Sequence, residues 1–450
     1  MKKKFLFITF IFILLTTITL SINLKEKKDT NSLTGKVLSI KNDSITVQDD
    51  NDIIYTFNLK EHDIDIGDKI IIKYSGVIDK ENHEQHCKVI NYEKTKETIS
   101  NNGIPNSYLD NGIFSDYYVM AYNKLKELSL DEKIGQLLLV RYPSSNQIED
   151  LKKYKFSGFV FYEKDFKNKT KNEVITMIDK LQNNSSIPLL TAVDEEGGKV
   201  IRVSSNPKLV NEPFKSSSEL YNNGGFEKIK EDTKYKSEIL YSLGLNVNLA
   251  PVVDVSTNSS DYIYERTLKQ DTSKVKEYAK IVIEASKGTN VSYTLKHFPG
   301  YGGNSDTHAG SSTSSKSYDD ILSIDIPPFK VGIDAGAEAI LVSHNIITSI
   351  DNSNPSSLSI NTHNILRDDL NFTGVIITDD LDMNALNNID NKNLKALLAG
   401  NNLIITINYE ESFNEIKNAI KDNELSEDTI DKLVFKVLAW KYYKGIFISK

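Results

Sequence analysis

Eight short apolar runs, separated by longer stretches with helical spacing, constrain this chain more than any other feature. They are Gly135 to Val140, Gly158 to Tyr162, Pro188 to Val193, Val247 to Val253, Val291 to Leu295, Ala339 to Val342, Val375 to Thr378 and Leu403 to Ile407. Runs of four to seven residues without polar alternation read as strands buried on both faces, the pattern of a parallel sheet covered by helices. Eight of them in an α/β alternation predict a (β/α)₈ barrel of the TIM type over residues 116–450. At 450 residues with 39% hydrophobic content, the chain can fill such a core and still carry a second domain.

The residues before the barrel read differently. Lys36 to Ile40, Ser44 to Gln48, Ile53 to Leu59 and Lys69 to Tyr74 are rich in β-branched residues, with turn signals at Asn42-Asp43 and Ile66-Gly67-Asp68. They predict a small all-β domain over 32–93, a β-barrel or sandwich of OB-like character, joined by a linker over 94–115. His83, His86 and Cys87 near its end suggest a metal site. No second ligand pair follows at zinc spacing, so a solvated strand edge is the expectation. At the N-terminus, Lys2, Lys3 and Lys4 precede an apolar run from Phe5 to about Leu20. Residues 1–25 therefore read as a secretory signal peptide or, if uncleaved, a membrane anchor. No cysteine follows the run, which excludes a lipoprotein anchor, and the single cysteine allows no intrachain disulfide.

A barrel makes a prediction about chemistry. Working residues sit where strands end and βα loops begin. The third run ends in Asp194-Glu195-Glu196-Gly197-Gly198, the fourth in Asp254, the fifth in Lys296-His297, the sixth in Ser343-His344 and the seventh in Asp379-Asp380. A lone Asp after a strand is as often a helix N-cap, and Asp254 and Asp380 carry that alternative. Beyond the fifth run, Lys296 to His308 turns through glycines and a proline to an Asp and a His two residues apart. Asp306 there is suited to fix the tautomer and orientation of His308, which makes an acid/base near neutral pH.

An anionic carboxylate at Asp379, a His held by an Asp, and donors at Lys296, Arg202 and Arg266 suit acetal cleavage, which needs negative charge on one side of the sugar and a proton donor on the other. A metal held by His297, His308, His344 and Asp379 competes, but Lys296 would repel a cation and no recognised metal-ligand spacing exists. The net charge of −8 gives no electrostatic support for nucleic-acid binding.

Several of these stretches together resemble glycoside hydrolase family 3, and within it the β-N-acetylhexosaminidase branch. They are Lys296 to His308, Asp194 to Arg202, Asn248-Leu249-Ala250-Pro251-Val252-Val253-Asp254, Ile377 to Met383 and Leu128 to Gln136, the last matching the family's opening helix. The resemblance covers about three quarters of the chain and implies a retaining mechanism through a covalent glycosyl-enzyme, without cofactor or metal. Asp379 would be the nucleophile, His308 the general acid/base and Asp306 its partner. Asp194, Arg202, Arg266, Lys296 and His297 would hold the sugar. The implied substrates are glycans ending in N-acetylglucosamine, with cell-wall peptidoglycan fragments suggested by the signal for export.

The chain departs from the family's commonest pattern at Tyr301-Gly302, where His-Gly is usual, in a loop one residue shorter, and at Lys199, where Arg is usual. Branches acting on glucosides and xylosides continue into a second α/β domain that supplies the acid/base. Here the final helices, Ser412 to Lys421 and Glu427 to Tyr443, end the sequence, so the acid/base would come from the barrel itself. A β-glucosidase or other β-glycosidase, a glycoside phosphorylase, and a non-catalytic carbohydrate-binding wall protein are the alternatives.

Overall fold

The computed structural model describes residues 30–41, 44–49, 54–59, 64, 68–78, 85–94, 99–303, 305–307 and 309–447. Residues 1–25, expected to be a signal peptide or anchor, lie outside them with His83 and His308, as does the side chain of His86. The chain divides into two compact units, Met1–Lys96 and Glu97–Lys450.

The first unit is an antiparallel sheet of β1 (Thr30–Lys41), β2 (Ser44–Asp49), β3 (Ile54–Asn58), β4 (Lys69–Ile78) and β5 (Gln85–Lys94), in the order β3-β2-β1-β4-β5. Alternation drives it. In β2 and β3 every second residue is buried, so Ile45, Val47, Tyr55 and Phe57 join Val37, Ile70 and Ile72 in one core. The fifth strand was expected from sequence only as a solvated edge around His86 and Cys87, without bounds. It is an edge strand carrying polar residues and a half-buried Cys87, and such an edge lacks the apolar alternation by which strands are read. Among the described residues no group of metal-ligating side chains occurs.

The second unit is the barrel. Its strands are β6 (Leu138–Arg141), β7 (Gly158–Phe161), β8 (Leu190–Val193), β9 (Val247–Asn248), β10 (Ser292–Phe298), β12 (Ala339–Val342), β14 (Val375–Asp380) and β15 (Leu403–Thr406). They close in the order β10-β12-β14-β15-β6-β7-β8-β9 with parallel pairing throughout. A two-stranded pair, β11 (Thr313–Ser314) with β13 (Ile346–Ile347), joins the segments that follow β10 and β12. All eight expected strands are present, because β7, β8, β12 and β15 are buried on both faces and read as continuous apolar runs. Their bounds shift. Gly135 and Gln136 belong to the helix Leu130–Gln136, whose Ser129 and Glu132 form a capping box. The fourth run is a strand only over Val247–Asn248; Pro251, which has no N–H to donate, interrupts it, and an isolated bridge joins Val252 to Lys296 beyond.

Candidate active site

The C-terminal ends of the strands converge on a cavity of about 480 Å³. Asp194, Arg202, Arg266, Lys296, His297 and Asp379, six of the eight residues singled out from sequence, line it together.

The acidic stretch after β8 divides its labour by the strand's alternation. Glu195 points inward and is fully buried. Its carboxylate accepts the backbone N–H groups of Arg202 at 2.8 Å and Val203 at 2.6 Å and the Ser204 hydroxyl at 2.5 Å, so it folds the following loop around itself. Asp194 and Glu196, on either side, face the cavity. Gly197 and Gly198 adopt φ of 98° and 67°, and a Cβ on Gly197 would meet the Lys215 carbonyl at 2.1 Å; only glycine makes this turn.

Glu196 is the centre of an ionic cage that the sequence did not single out. Arg266 donates to it twice, from Nε at 3.0 Å and Nη2 at 2.7 Å, and Lys296 Nζ reaches it at 2.7 Å. Lys296 also donates to Asp194 at 2.7 Å. Burial alone would push the Glu196 carboxyl up, but the two cations outweigh it and hold it far below the usual range. Burial likewise pulls Lys296 down, and Asp194 with Glu196 more than restores it. The charges of Lys296 and Arg266 balance those of Asp194 and Glu196, which offsets the cost of burying them.

His297 donates or accepts at both ring nitrogens. Nε2 lies 3.2 Å from Arg266 Nη2 and Nδ1 lies 2.8 Å from Asp254. A guanidinium only donates, so Nε2 accepts and Nδ1 carries the proton to Asp254. Asp254 also accepts the Tyr301 N–H at 2.8 Å. Its role is to orient its neighbours, neither lining the cavity nor capping a helix. With both nitrogens engaged, His297 has no lone pair for a metal.

Asp379 stands at the end of β14, where the register against β15 shifts between Ile377 and Asp380. Its Oδ1 accepts the Asp380 N–H at 2.9 Å. Asp380 also lines the cavity, and burial pushes its carboxyl up to about 6, with Asp382 and Asp379 adding to the rise. Asp382 holds the next loop by accepting from Ile407 N–H at 2.6 Å and the Asn408 amide at 2.7 Å. The opposite wall is Tyr162, whose ring lies under the guanidinium of Arg141 at 4.0 Å and that of Arg202 at 5.3 Å. Arg141 and Tyr162 follow the first two strands, so the strand-end rule that found the others reaches them too.

The glycine loop after β10 is pinned at two points. The Tyr301 hydroxyl accepts the Thr307 N–H at 2.8 Å and bonds the Thr307 hydroxyl at 2.6 Å, while the Thr307 carbonyl accepts the Ala385 N–H at 3.2 Å. The loop thus crosses to the segment that follows Asp379. Asp306 is half-buried there, close enough to Tyr262, which lines the cavity, to raise its hydroxyl alongside the larger effect of burial. The geometry of His308 relative to Asp306 lies outside the described residues. Ser343 and His344, candidates for lining from their strand-end position, do not line the cavity; both are buried behind it.

Residues 129–440 match the family model described as "Glycosyl hydrolase family 3 N terminal domain". A beta-hexosaminidase of Nitrosomonas eutropha is 29% identical over 281 residues, which cover 60% of this chain and 79% of that protein. Beta-hexosaminidase LpqI of Mycobacterium tuberculosis is 28% identical over 269 residues, 57% of this chain and 68% of that one. Among solved structures, a glycoside hydrolase family 3 β-N-acetylglucosaminidase from Paenibacillus sp. str. FPU-7 superposes with a TM-score of 0.67 at 24% identity. That match covers 71% of this chain and 63% of the other. A beta-glucoside phosphorylase, BglX, superposes with a TM-score of 0.67 at 20% identity over 77% and 64% of the two chains. At these identities the superpositions establish the barrel fold.

Proposed function

Because the chain belongs to glycosyl hydrolase family 3 and is a glycoside hydrolase, we propose that it is a retaining exo-β-N-acetylhexosaminidase that removes terminal N-acetylglucosamine from glycans. The observation that carries this reading is one cavity in which Asp379 faces the Asp194–Lys296–Glu196–Arg266 cage. A sugar seated on that cage meets fixed donors and acceptors for its hydroxyls, and its anomeric carbon lies toward the carboxylate on the opposite rim.

In the first step an Asp379 oxygen attacks the anomeric carbon as the bond to the leaving oxygen breaks, and protonated His308 gives that oxygen its proton. In the second, neutral His308 takes a proton from water, whose oxygen attacks the same carbon and releases Asp379. Asp306 stabilises the imidazolium that donates in the first step and re-forms in the second. Thr307, the residue before His308, accepts the Ala385 N–H beyond Asp379, and this tie supports a loop that serves the same mouth as the nucleophile. Arg202, with Nε buried and unpaired in the structure, supplies a donor for the substrate.

The apolar run after Lys2–Lys4 supports export, and export with this specificity points to peptidoglycan fragments as substrate. Aryl glycosides test the specificity: cleavage of the N-acetyl-β-glucosaminide over the β-glucoside is expected, and the reverse order overturns it. Product analysis with and without phosphate separates hydrolysis from phosphorolysis. Blotting of medium and membrane fractions tests export, and a purely cytosolic pool would refute it.

A further inference from the structure

The end of β14 is irregular where it matters most. Its ladder with β12 stops at Val342 opposite Thr378, and its register against β15 slips between Ile377 and Asp380. Such a slip re-aims a side chain and strips backbone groups of their ladder partners. The side chain re-aimed is Asp379. The peptide group that follows Asp380 is then held from two sides: its N–H, on Leu381, donates to the Ile405 carbonyl at 2.9 Å, and its carbonyl lies 2.9 Å from His344 Nε2.

A carbonyl only accepts, so Nε2 carries the proton and Nδ1 is the ring's acceptor. Ser357 Oγ sits 2.7 Å from Nδ1 and fills that role as donor. Ser357 is fixed in turn: its N–H donates to the Ser343 carbonyl at 2.9 Å and its carbonyl accepts from Asn401 Nδ2 at 2.8 Å. His344 is 1% exposed, and Ser357 and Asn401 are fully buried.

We infer that His344 is a positioning residue for the nucleophile: its imidazole takes the place of the missing β12–β14 ladder bond and fixes the peptide beside Asp379 at the angle that points the carboxylate at the sugar. This rests on the reading of Asp379 as nucleophile. His344 does not line the cavity and acts through the backbone of Asp380.

The experiment uses the full-length enzyme and whichever dinitrophenyl glycoside the wild type cleaves, since so activated a leaving group needs no proton, and takes kcat from the first-turnover burst of dinitrophenolate, which reports on nucleophilic attack alone. His344→Leu is expected to lower kcat by roughly 10- to 100-fold, because ångström-scale misplacement of a reacting group has that effect, with KM unchanged. His344→Gln, whose amide can still donate to the carbonyl, is expected to recover most of the loss. Equal kcat in His344→Leu and wild type, or a folded Gln variant no better than a folded Leu variant, would overturn the inference. If His344→Leu does not fold, Ser357→Ala decides: it keeps the ring but frees its tautomer, and an unchanged kcat counts against the proposal. An Asp379→Ala enzyme that keeps its activity would sink the nucleophile assignment instead, and a wild type that prefers the glucoside would sink only the substrate.

Discussion

Both ends of the barrel bury basic side chains, and two at the N-terminal end are satisfied differently from those at the mouth. At the N-terminal end, Lys441 and Arg367 are satisfied by groups that carry no full charge. Lys441, fully buried, donates to Gln136 Oε1 at 2.7 Å and the Ser157 carbonyl at 2.9 Å. Arg367 donates to the Phe372 and Gly374 carbonyls at 2.6 and 2.8 Å and to Asn402 at 2.9 Å, and burial brings it down to about 10. At the C-terminal mouth Lys296 and Arg266 are paired with Asp194 and Glu196 instead. The first arrangement stitches strand ends to the outer helices and leaves nothing to offer a ligand. The second leaves oriented charges on a cavity wall, the preorganised electrostatics on which catalysis draws.

The sharpest break of this contrast is at Asp379. Asp379→Ala should lower turnover by about 10⁴-fold or more while the melting temperature stays near that of the wild type; a comparable loss of stability would mean the carboxylate belongs to the scaffold. Next comes Glu196→Gln. With Asp194 the one anion of the cage left for the two cations Lys296 and Arg266, stability should fall by about 3–5 kcal/mol and KM should rise, both read from melts and steady-state kinetics. A floor-like mouth would give the stability loss alone.

Lys441→Met probes the other end. Burial lowers Lys441 well below its ordinary value, so below about pH 10.4 the unfolded chain holds a proton that the folded one gives up. Wild-type stability therefore declines as pH falls through that window, by up to about 1.4 kcal/mol per pH unit, and the Met variant should lack this slope in denaturant titrations while keeping full activity. The smallest effect is expected at Asp380. Its carboxyl, raised to about 6, gains a second negative charge beside Asp379 as pH rises through that value. Asp380→Asn, frozen in the neutral form, should lose an inflection near there in the pH profile of kcat/KM. For stability the sign is opposite to a salt-bridged acid: the folded protein binds that proton more tightly, so wild-type stability falls between about pH 4 and 6, and the variant should be flat.

The barrel was legible because parallel strands are apolar without interruption and their polar ends mark the mouth. Its site was legible where a polar residue directly followed such a run, as at Asp194, Lys296 and Asp379. Glu196 was hidden in Asp194-Glu195-Glu196, three acids whose inward and outward directions only the Gly197-Gly198 turn decides. His344 was visible as a strand-end residue, but a register slip in β14 cannot be seen in composition, so its service to Asp380 was not. The extent of strand β5 escaped because an edge strand shows water a polar face.

The bond between Thr307 and Ala385 has one more consequence. It makes the loop beyond β10 and the segment beyond β14 a single piece of architecture rather than two exchangeable parts. A chimera that imports residues 299–310 from a relative without residues 381–389 would install foreign machinery on native footings, and only co-transplanted segments should restore a working enzyme.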